Sequence, residues 1–257
     1  AFAVKDLADF AQRAGLSTVP HAVDFVIWTT TPWTLPANQA VSLHPELVYV
    51  VVQADIEGQA RILVLAQALF EATLARYQAE NIQVLAEVAG QSFEHVALQH
   101  PFYNERVVPV IVGEHVTADA GTGAVHTAPG HGQDDFIVGK KYELLVDNPV
   151  DNNGVFLPNT PLFAGMHVNK ANEPIIDTLK ANGRLLAYVK IRHSYPHCWR
   201  HKTPIIFRAT PQWFISMEQK GLRDAAMQAI DEVEWLPDWG KARIVSMVQN
   251  RPDWCIS

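Results

Sequence analysis

The amino-acid sequence predicts an α+β fold with a barrel-like β-sheet core and peripheral helices. Three observations support this fold class: short β-branched runs recur through the first half of the chain, helical spacing appears in a few segments, and the composition is globular. Hydrophobic residues make up 48% of the 257 residues and charged residues 18%, so there is enough apolar material for a sizeable core.

The strands are predicted from runs rich in valine, isoleucine and other strand-forming residues. Five such runs span 25–31, 48–52, 61–65, 82–85 and 107–112. Apolar spacing predicts a first helix, carried by Leu69, Phe70, Thr73, Leu74 and Tyr77.

A later helix has clear start and stop signals. Asn172 is the predicted N-cap, Pro174 lies in the first turn, and Gly183 lies just past the end. The remaining pattern predicts a helix at 134–143, a loop at 145–165 and a strand at 188–192. Two further helices are predicted at about 220–233 and about 239–250.

Composition also excludes several classes of protein. No apolar run approaches the roughly 20 residues that a membrane helix needs, and charged residues interrupt the first ten positions, so no secretory signal is predicted. Two cysteines, Cys198 and Cys255, are too few for a disulfide framework and suit a reducing cytoplasm. Since the sequence does not begin with methionine and ends at Ser257 without a terminating signal, we expect it to be an excised part of a longer protein.

The net charge of −7 argues against a free-standing nucleic-acid binder, because phosphate contacts need lysine and arginine. The charge is uneven, with a net of −10 over residues 1–187 and +3 over residues 188–257. If RNA contacts this chain, the C-terminal part is better placed to attract its backbone. Solvated charged faces are the alternative explanation.

The segment 28–38 (WTTTPWTLPAN) is unusual for a plain structural strand. Pro32 has no N–H and interrupts the ladder, which leaves the hydroxyls of the three preceding threonines at a strand end. These hydroxyls can donate and accept hydrogen bonds, and two tryptophans beside them provide flat walls. Edge packing alone is the alternative interpretation.

The segment 119–136 (DAGTGAVHTAPGHGQDDF) combines four glycines with two histidines and an Asp-Asp pair. Glycine lets the backbone pass close to a ligand. Asp134 and Asp135 start a predicted helix, whose N-terminus favours carboxylates, so capping explains one of the two. A carboxylate left over in a glycine-lined pocket is suited to bind an ammonium group.

Metal and phosphate interpretations stay open beside this one. His126, His131 and the two aspartates could ligate zinc, although His-x4-His fits no common helical ligand pair. The glycines resemble a phosphate loop, but no Gly-Lys-Ser/Thr follows them. The stretch 193–201 (HSYPHCWRH) could form a zinc knuckle, but it lacks a Cys-x2-Cys pair, and a basic aromatic surface strand is the alternative.

The segments 28–38 and 121–135 resemble the two signature segments of the editing domain (connective polypeptide 1) of bacterial-type isoleucyl-tRNA synthetases. The segments 201–214 and 250–257 resemble the stretch where the chain of that family returns toward its synthetic domain. The resemblance covers the chain from about residue 23. Valyl and leucyl relatives carry Thr-Thr-Arg-Pro at the position where this chain has Thr-Thr-Pro, and the missing arginine favours the isoleucyl family.

This resemblance implies an editing-domain body at 1–187 and a return segment at 188–257 leading to a Rossmann synthetic domain, absent here. The family's ATP-handling signatures, His-Ile-Gly-His and Lys-Met-Ser-Lys-Ser, are missing, so no cofactor is expected in this chain, whereas the parent enzyme uses ATP. The implied partners are the 3′ end of tRNA(Ile) with attached valine and the rest of the synthetase in cis. The chain is expected to be a cytoplasmic monomer that contacts no membrane.

The resemblance also implies roles for individual residues. Asp135 matches the position that pairs with the α-ammonium of the attached amino acid, and His126 matches the residue that closes the side-chain pocket against isoleucine. The other matched positions hold the terminal adenosine and the ester or form the pocket wall: Thr29, Thr30, Thr31, Asn38 and Trp33. We predict catalytic roles for Thr29, Thr30 and Asp135, substrate binding by Thr31, Trp33, Asn38, His126 and Asp135, and no metal ligand.

The implied reaction is hydrolysis of valine wrongly attached to tRNA(Ile). One methylene group in a pocket is worth only about 1–3 kcal/mol, a range for which this family is itself the usual example, so a second site must admit valine and exclude isoleucine by size. No side chain is an obvious nucleophile backed by a base, which favours direct attack by water. A docking module for the tRNA 3′ end, without chemistry of its own, and a free-standing editing hydrolase are the alternatives.

Overall fold

A nine-stranded mixed sheet forms the centre of the first of two units, Ala1–Ala209 and Thr210–Ser257, in the computed structural model. The structure describes residues 1–192 and 194–257. In chain order the strands are β1 (Phe2–Val4), β2 (Val23–Phe25), β3 (Ala40–Leu43), β4 (Val48–Ile56), β5 (Gln59–Ala66), β6 (Glu80–Ala89), β7 (Ala97–Gln99), β8 (Val107–Val112) and β9 (Ala124–Thr127).

The strand order in this sheet is β6-β4-β5-β2-β1-β7-β8-β3-β9. The pairs β2–β5 and β3–β8 are parallel, and the other neighbouring pairs are antiparallel. The predicted mixture of a large sheet with peripheral helices is confirmed. Because this order has two ends, β6 and β9, the sheet is not a closed barrel.

Helices flank the sheet of the first unit. They are α1 (Leu7–Arg13), α2 (Phe70–Arg76), α3 (Gln133–Lys141) and α4 (Val168–Ala181), with 3-10 helices at Pro32–Ala37 and Gly90–Phe93. The second unit contains α5 (Leu222–Glu232), α6 (Trp239–Gln249), a 3-10 turn at Gln219–Gly221, and a two-stranded sheet of β10 (Phe214–Ile215) and β11 (Trp254–Cys255). Among the described residues, no helix is both long enough and apolar enough to cross a membrane.

Strand β4 shows why the sequence of a central strand is apolar at consecutive positions. Tyr49 and Val51 belong to the main core cluster, whereas Val50 and Val52 belong to a second cluster. Successive side chains of a strand point to opposite faces, so both faces of β4 are covered. The main core also contains an aromatic group in which the rings of Phe10 and Phe93 stack with centroids 5.3 Å apart.

Two predicted strands were wrong in extent or existence. The run predicted at 25–31 leaves the sheet after Phe25. Farther along it, the Thr31 N–H donates to Thr29 Oγ1 at 3.0 Å, a local bond in place of a ladder bond. The stretch 188–192 has no regular secondary structure, and Val189 is 62% exposed there.

The start predicted for helix α4 was also wrong. The helix begins at Val168 with His167 as N-cap, whose Nδ1 accepts a bond from the Asn169 N–H. Asn172 therefore lies inside the helix, and its Oδ1 accepts a bond from the Trp33 N–H at 3.0 Å. A residue type that is typical of caps serves here in a tertiary contact instead. The helices predicted near 70–77, 134–143, 220–233 and 239–250 are confirmed within a few residues.

Candidate functional site

A cavity of about 400 Å³ in the first unit brings the two unusual segments together. This volume lies within the range of small-molecule sites. Its lining residues are Trp28, Thr29, Thr30, Thr31, Trp33, Thr34, Val125, His126, His131, Asp135, Tyr195 and Phe207. Of the seven predicted site residues, six line this cavity, and Asn38 does not.

The threonine side of the cavity is built where the chain leaves β2. The Oγ1 atoms of Thr30 and Thr31 lie 3.4 Å apart, within reach of one hydrogen bond. The 3-10 helix that follows starts with Pro32, and its buried Trp33 is anchored through its N–H by α4. The hydroxyls at the cavity therefore sit between two fixed points, the end of β2 and the anchored Trp33.

His126 on β9 has a hydrogen-bond partner at each of its two ring nitrogens. Its Nε2 lies 2.8 Å from Thr34 Oγ1, and its Nδ1 lies 3.3 Å from Asn38 Nδ2. The Thr34 hydroxyl donates to the carbonyl oxygen of Thr31 at 2.9 Å, so its oxygen is left to accept from His126. The Asn38 amide nitrogen also donates to the Ala40 carbonyl at 2.8 Å, so it faces His126 as a donor.

These directions determine the tautomer of His126. Nε2 carries the proton and donates to Thr34, and Nδ1 accepts from Asn38. Burial lowers the pKa of His126 to about 4, with a smaller contribution from His131, so the ring is neutral near pH 7. Both ring nitrogens are thus occupied, and His126 has no lone pair free to accept a proton from a ligand.

Asn38 is not among the residues that line the cavity. Its side chain is fully buried, and its amide contacts His126 and the Ala40 carbonyl. The direct substrate contact predicted for Asn38 stays a prediction, and its observed contact with the site is the one to His126. The position fits a residue that orients His126.

The glycine-rich loop brings the backbone close to its neighbours. A Cβ at Gly130 would lie 2.0 Å from the Asp147 carbonyl oxygen, so no other residue fits there without movement. A Cβ at Gly132 would lie 3.1 Å from Asp135 Oδ2. Glycine at this position leaves room for the carboxylate at the cavity.

Asp135 is the carboxylate that faces the cavity, whereas Asp134 is exposed on the same first turn of α3. Asp135 Oδ2 accepts a bond from the Ala128 N–H at 2.9 Å. Burial raises the pKa of Asp135 to about 6, although this hydrogen bond opposes the shift. The carboxylate is therefore ionised near pH 7 but poorly solvated, a state that a cationic ligand would stabilise.

Sequence reasoning missed part of the lining. Thr34 and Val125 lie inside the two segments but were given no role, and His131 was weighed only as a metal ligand. Tyr195 and Phe207 come from far along the chain, and nothing local in their sequence signals a pocket. Phe207 is held beside the cavity because its carbonyl oxygen contacts His131 Nδ1, and the nearby Ala209 N–H donates to the Gly130 carbonyl.

The described part of the chain contains no group of side chains arranged as a zinc site. No group of three or more His, Cys, Asp or Glu side chains is placed to hold a metal across residues 1–192 and 194–257. Cys198 Sγ lies 3.4 Å from His201 Nδ1, an exposed pair. His193, the first residue of the proposed zinc knuckle, lies outside the described residues.

Solved editing domains of leucyl-tRNA synthetases have a fold similar to that of this chain. The structure reported as GlLeuRS-CP1 superposes with a TM-score of 0.58 at 15% identity, covering 74% of this chain and 98% of that one. The editing domain of P. knowlesi cytosolic leucyl-tRNA synthetase gives 0.55 at 10% identity, covering 70% and 92%. At such low identity the likeness concerns the fold alone.

Sequence comparison goes further. The family model of tRNA synthetases class I (I, L, M and V) matches residues 17–257, and the chain belongs to this family. It is 57% identical to the isoleucine–tRNA ligase of Shewanella pealeana over 257 residues, and 64% identical to that of Nitrosococcus oceani over 233 residues. These matches cover 100% and 90% of this chain, which spans 27% and 25% of the two ligases, about a quarter of their length.

Proposed function

We propose that this chain hydrolyses the ester bond of valyl-tRNA(Ile) and excludes isoleucine by size. The observation that carries the proposal is the meeting of Thr29, Thr30, Thr31, His126 and Asp135, which come from two distant segments, around one cavity. The identity to isoleucine–tRNA ligases and the editing-domain fold support it.

In the proposed reaction, water attacks the carbonyl carbon that joins valine to the terminal ribose. The new C–O bond forms, the bond to the ribose oxygen breaks, and the products are valine and a free tRNA hydroxyl. Asp135 would hold the α-ammonium, and the hydroxyls of Thr29 and Thr30 would orient the ester and the water. Catalysis then rests on positioning within a partly desolvated site.

A covalent route through Thr34 is disfavoured by hydrogen-bond direction. Thr34 and His126 lie at the distance of a nucleophile and its base. However, the Thr34 proton is donated to the Thr31 carbonyl, and His126 donates rather than accepts at this contact. The pair would need both bonds rearranged before Thr34 could attack an ester.

The first test is single-turnover deacylation by the unmodified chain. We expect release of valine from valyl-tRNA(Ile) at a rate at least about 100-fold above that for isoleucyl-tRNA(Ile), since a steric clash discriminates better than a lost contact. The measurement is the decay of each labelled ester at saturating chain. Equal rates for both esters would refute size exclusion, and binding without hydrolysis of either would favour the docking module.

A second test concerns metals. We expect a chelator to change the deacylation rate by less than about twofold, because both nitrogens of His126 are already occupied by hydrogen bonds and offer no lone pair to a cation. The rate is compared before and after dialysis against the chelator. Activity that disappears and returns with zinc would overturn this expectation.

The same proposal includes the finer organisation of the protein. Residues 1–187 would carry the editing function, and 188–257 would return to the synthetic domain. The 3′ end of tRNA(Ile) and the remaining synthetase in cis would be its partners, and ATP would serve only that remainder. A monomeric state and a cytoplasmic location remain predictions.

A further inference from the structure

The imidazole of His131 lies at the cavity, and the proposed function has given it no role. This side chain lines the cavity and is 9% exposed. Its ring is held on two sides. Nδ1 lies 3.0 Å from the Phe207 carbonyl oxygen, and the ring meets Trp33 edge-to-face with centroids 5.0 Å apart.

The bond to Phe207 determines where the ring proton lies. A carbonyl oxygen only accepts, so Nδ1 must donate and carry the proton. Burial lowers the pKa of His131 below its usual 6.5, despite the favourable bond to Phe207, so the ring holds one proton near pH 7. Nε2 is therefore a lone-pair acceptor.

That acceptor has no hydrogen-bond partner among the described residues, 1–192 and 194–257. Asn38 Oδ1 and His115 Nε2 are also buried and unpaired, but neither residue lines the cavity. Leaving a buried acceptor unpaired costs free energy that a matching donor recovers on binding. His131 thus combines a fixed ring, a known tautomer and an unmet demand for a donor at the proposed site.

We propose that His131 Nε2 accepts a hydrogen bond from an O–H group at the ester end of the bound ligand. Two sources share this chemistry: the attacking water, and the free ribose hydroxyl beside the ester. The inference rests on the proposed editing function and adds a ligand contact to it. His126 cannot supply this contact, since both of its nitrogens are already occupied.

Two substitutions separate the two nitrogens of His131. In His131→Asn, the amide nitrogen lies near the position of Nδ1 and can still donate to Phe207, but no atom replaces Nε2. In His131→Gln, the longer side chain places an acceptor near Nε2 and gives up the bond at Nδ1. If the acceptor matters, we expect single-turnover hydrolysis of valyl-tRNA(Ile) to fall at least about tenfold in His131→Asn but only about threefold in His131→Gln.

The source of the O–H group is tested with valyl-tRNA(Ile) that lacks the ribose hydroxyl beside the ester. If the hydroxyl is the donor, its removal slows the unmodified chain but does not slow His131→Asn further. If water is the donor, the two effects multiply. Either pattern supports the acceptor role.

Three outcomes would overturn the inference: His131→Asn as active as the unmodified chain, His131→Gln as slow as His131→Asn, or His131→Gln slower. The last two would assign the effect to ring packing or to the Phe207 bond. Melting temperatures check folding, and if His131→Asn does not fold, His131→Gln is compared with His131→Leu, because both lose the Nδ1 bond. Failure of the unmodified chain on valyl-tRNA(Ile) would instead reject the proposed function.

Discussion

Replacing Asp135 by asparagine is expected to slow deacylation of valyl-tRNA(Ile) by about 100-fold or more while the chain stays folded. Removing one partner of a buried charge pair costs about 2–5 kcal/mol, and each 1.4 kcal/mol is a factor of ten. The fold should tolerate the change, because an asparagine Oδ1 can accept the bond that the Ala128 N–H donates to Asp135. Single-turnover rates and melting curves measure the two effects.

Asp134→Asn is the matched control. It removes the neighbouring carboxylate from the same turn of α3, but Asp134 is exposed and does not line the cavity. We expect its deacylation rate to stay within about twofold of the unmodified chain, since a surface charge contributes little. Equal losses in both variants would mean that a general negative field, and not a specific ammonium contact, supports the reaction.

The pKa of Asp135 adds a dependence on pH. Because burial raises this pKa to about 6, the carboxylate that would attract the ammonium is lost as pH falls through 6, and about a tenth remains at pH 5. We expect kcat/KM for the valyl ester to fall accordingly, and this limb to be absent in Asp135→Asn. A limb that persists in the variant would belong to another group.

The same raised pKa predicts the sign of the stability change. Between pH 3.8, the ordinary pKa of an aspartate, and about 6, the folded chain keeps a proton that the unfolded chain has released. The free energy of unfolding therefore falls as pH rises through this window, and Asp135→Asn removes that loss. At neutral pH we expect the melting temperature of the variant to be no lower than that of the unmodified chain.

The second large effect is expected in His126→Ala, which should hydrolyse isoleucyl-tRNA(Ile) that the unmodified chain spares. Removing the imidazole opens more space than one methylene group needs, so the isoleucine side chain would fit. We expect its deacylation rate to rise by about 100-fold, toward the rate for valine, because the clash that excluded it is gone. The two esters are compared in single-turnover reactions, together with the melting temperature.

His126→Gln is the matched control for volume. Its amide can donate to Thr34 in place of Nε2, and its size leaves less space than alanine does. We expect isoleucine to remain excluded in this variant. If His126→Ala instead loses valine hydrolysis by about 100-fold and gains none on isoleucine, His126 acts as a general base. If His126→Ala loses both activities and melts at a lower temperature, His126 is a packing residue.

Much of the secondary structure was predictable because its signals are local. Strand β8 was predicted residue for residue, and β4, β5 and β6 were placed correctly but too short. The start of α4 was misplaced because the helix takes His167 as its N-cap, while the predicted cap, Asn172, accepts a bond from the distant Trp33 N–H. The strand predicted at 25–31 ends at Phe25, and the Thr29 hydroxyl beyond it accepts a local bond from the Thr31 N–H.

The sequence by itself determined the family and the two segments that carry the candidate site. Polar residues set among glycines, prolines and tryptophans form local motifs that can be recognised without a structure. Only the tertiary structure decided how those residues are used. The contact between Thr34 and His126 spans 92 positions and that between His131 and Phe207 spans 76, and these bonds set both tautomers. The fold also places Asp135, but not Asn38, among the residues that line the cavity. Burial and hydrogen-bond direction depend on what the fold brings alongside a residue, and no local pattern contains that information.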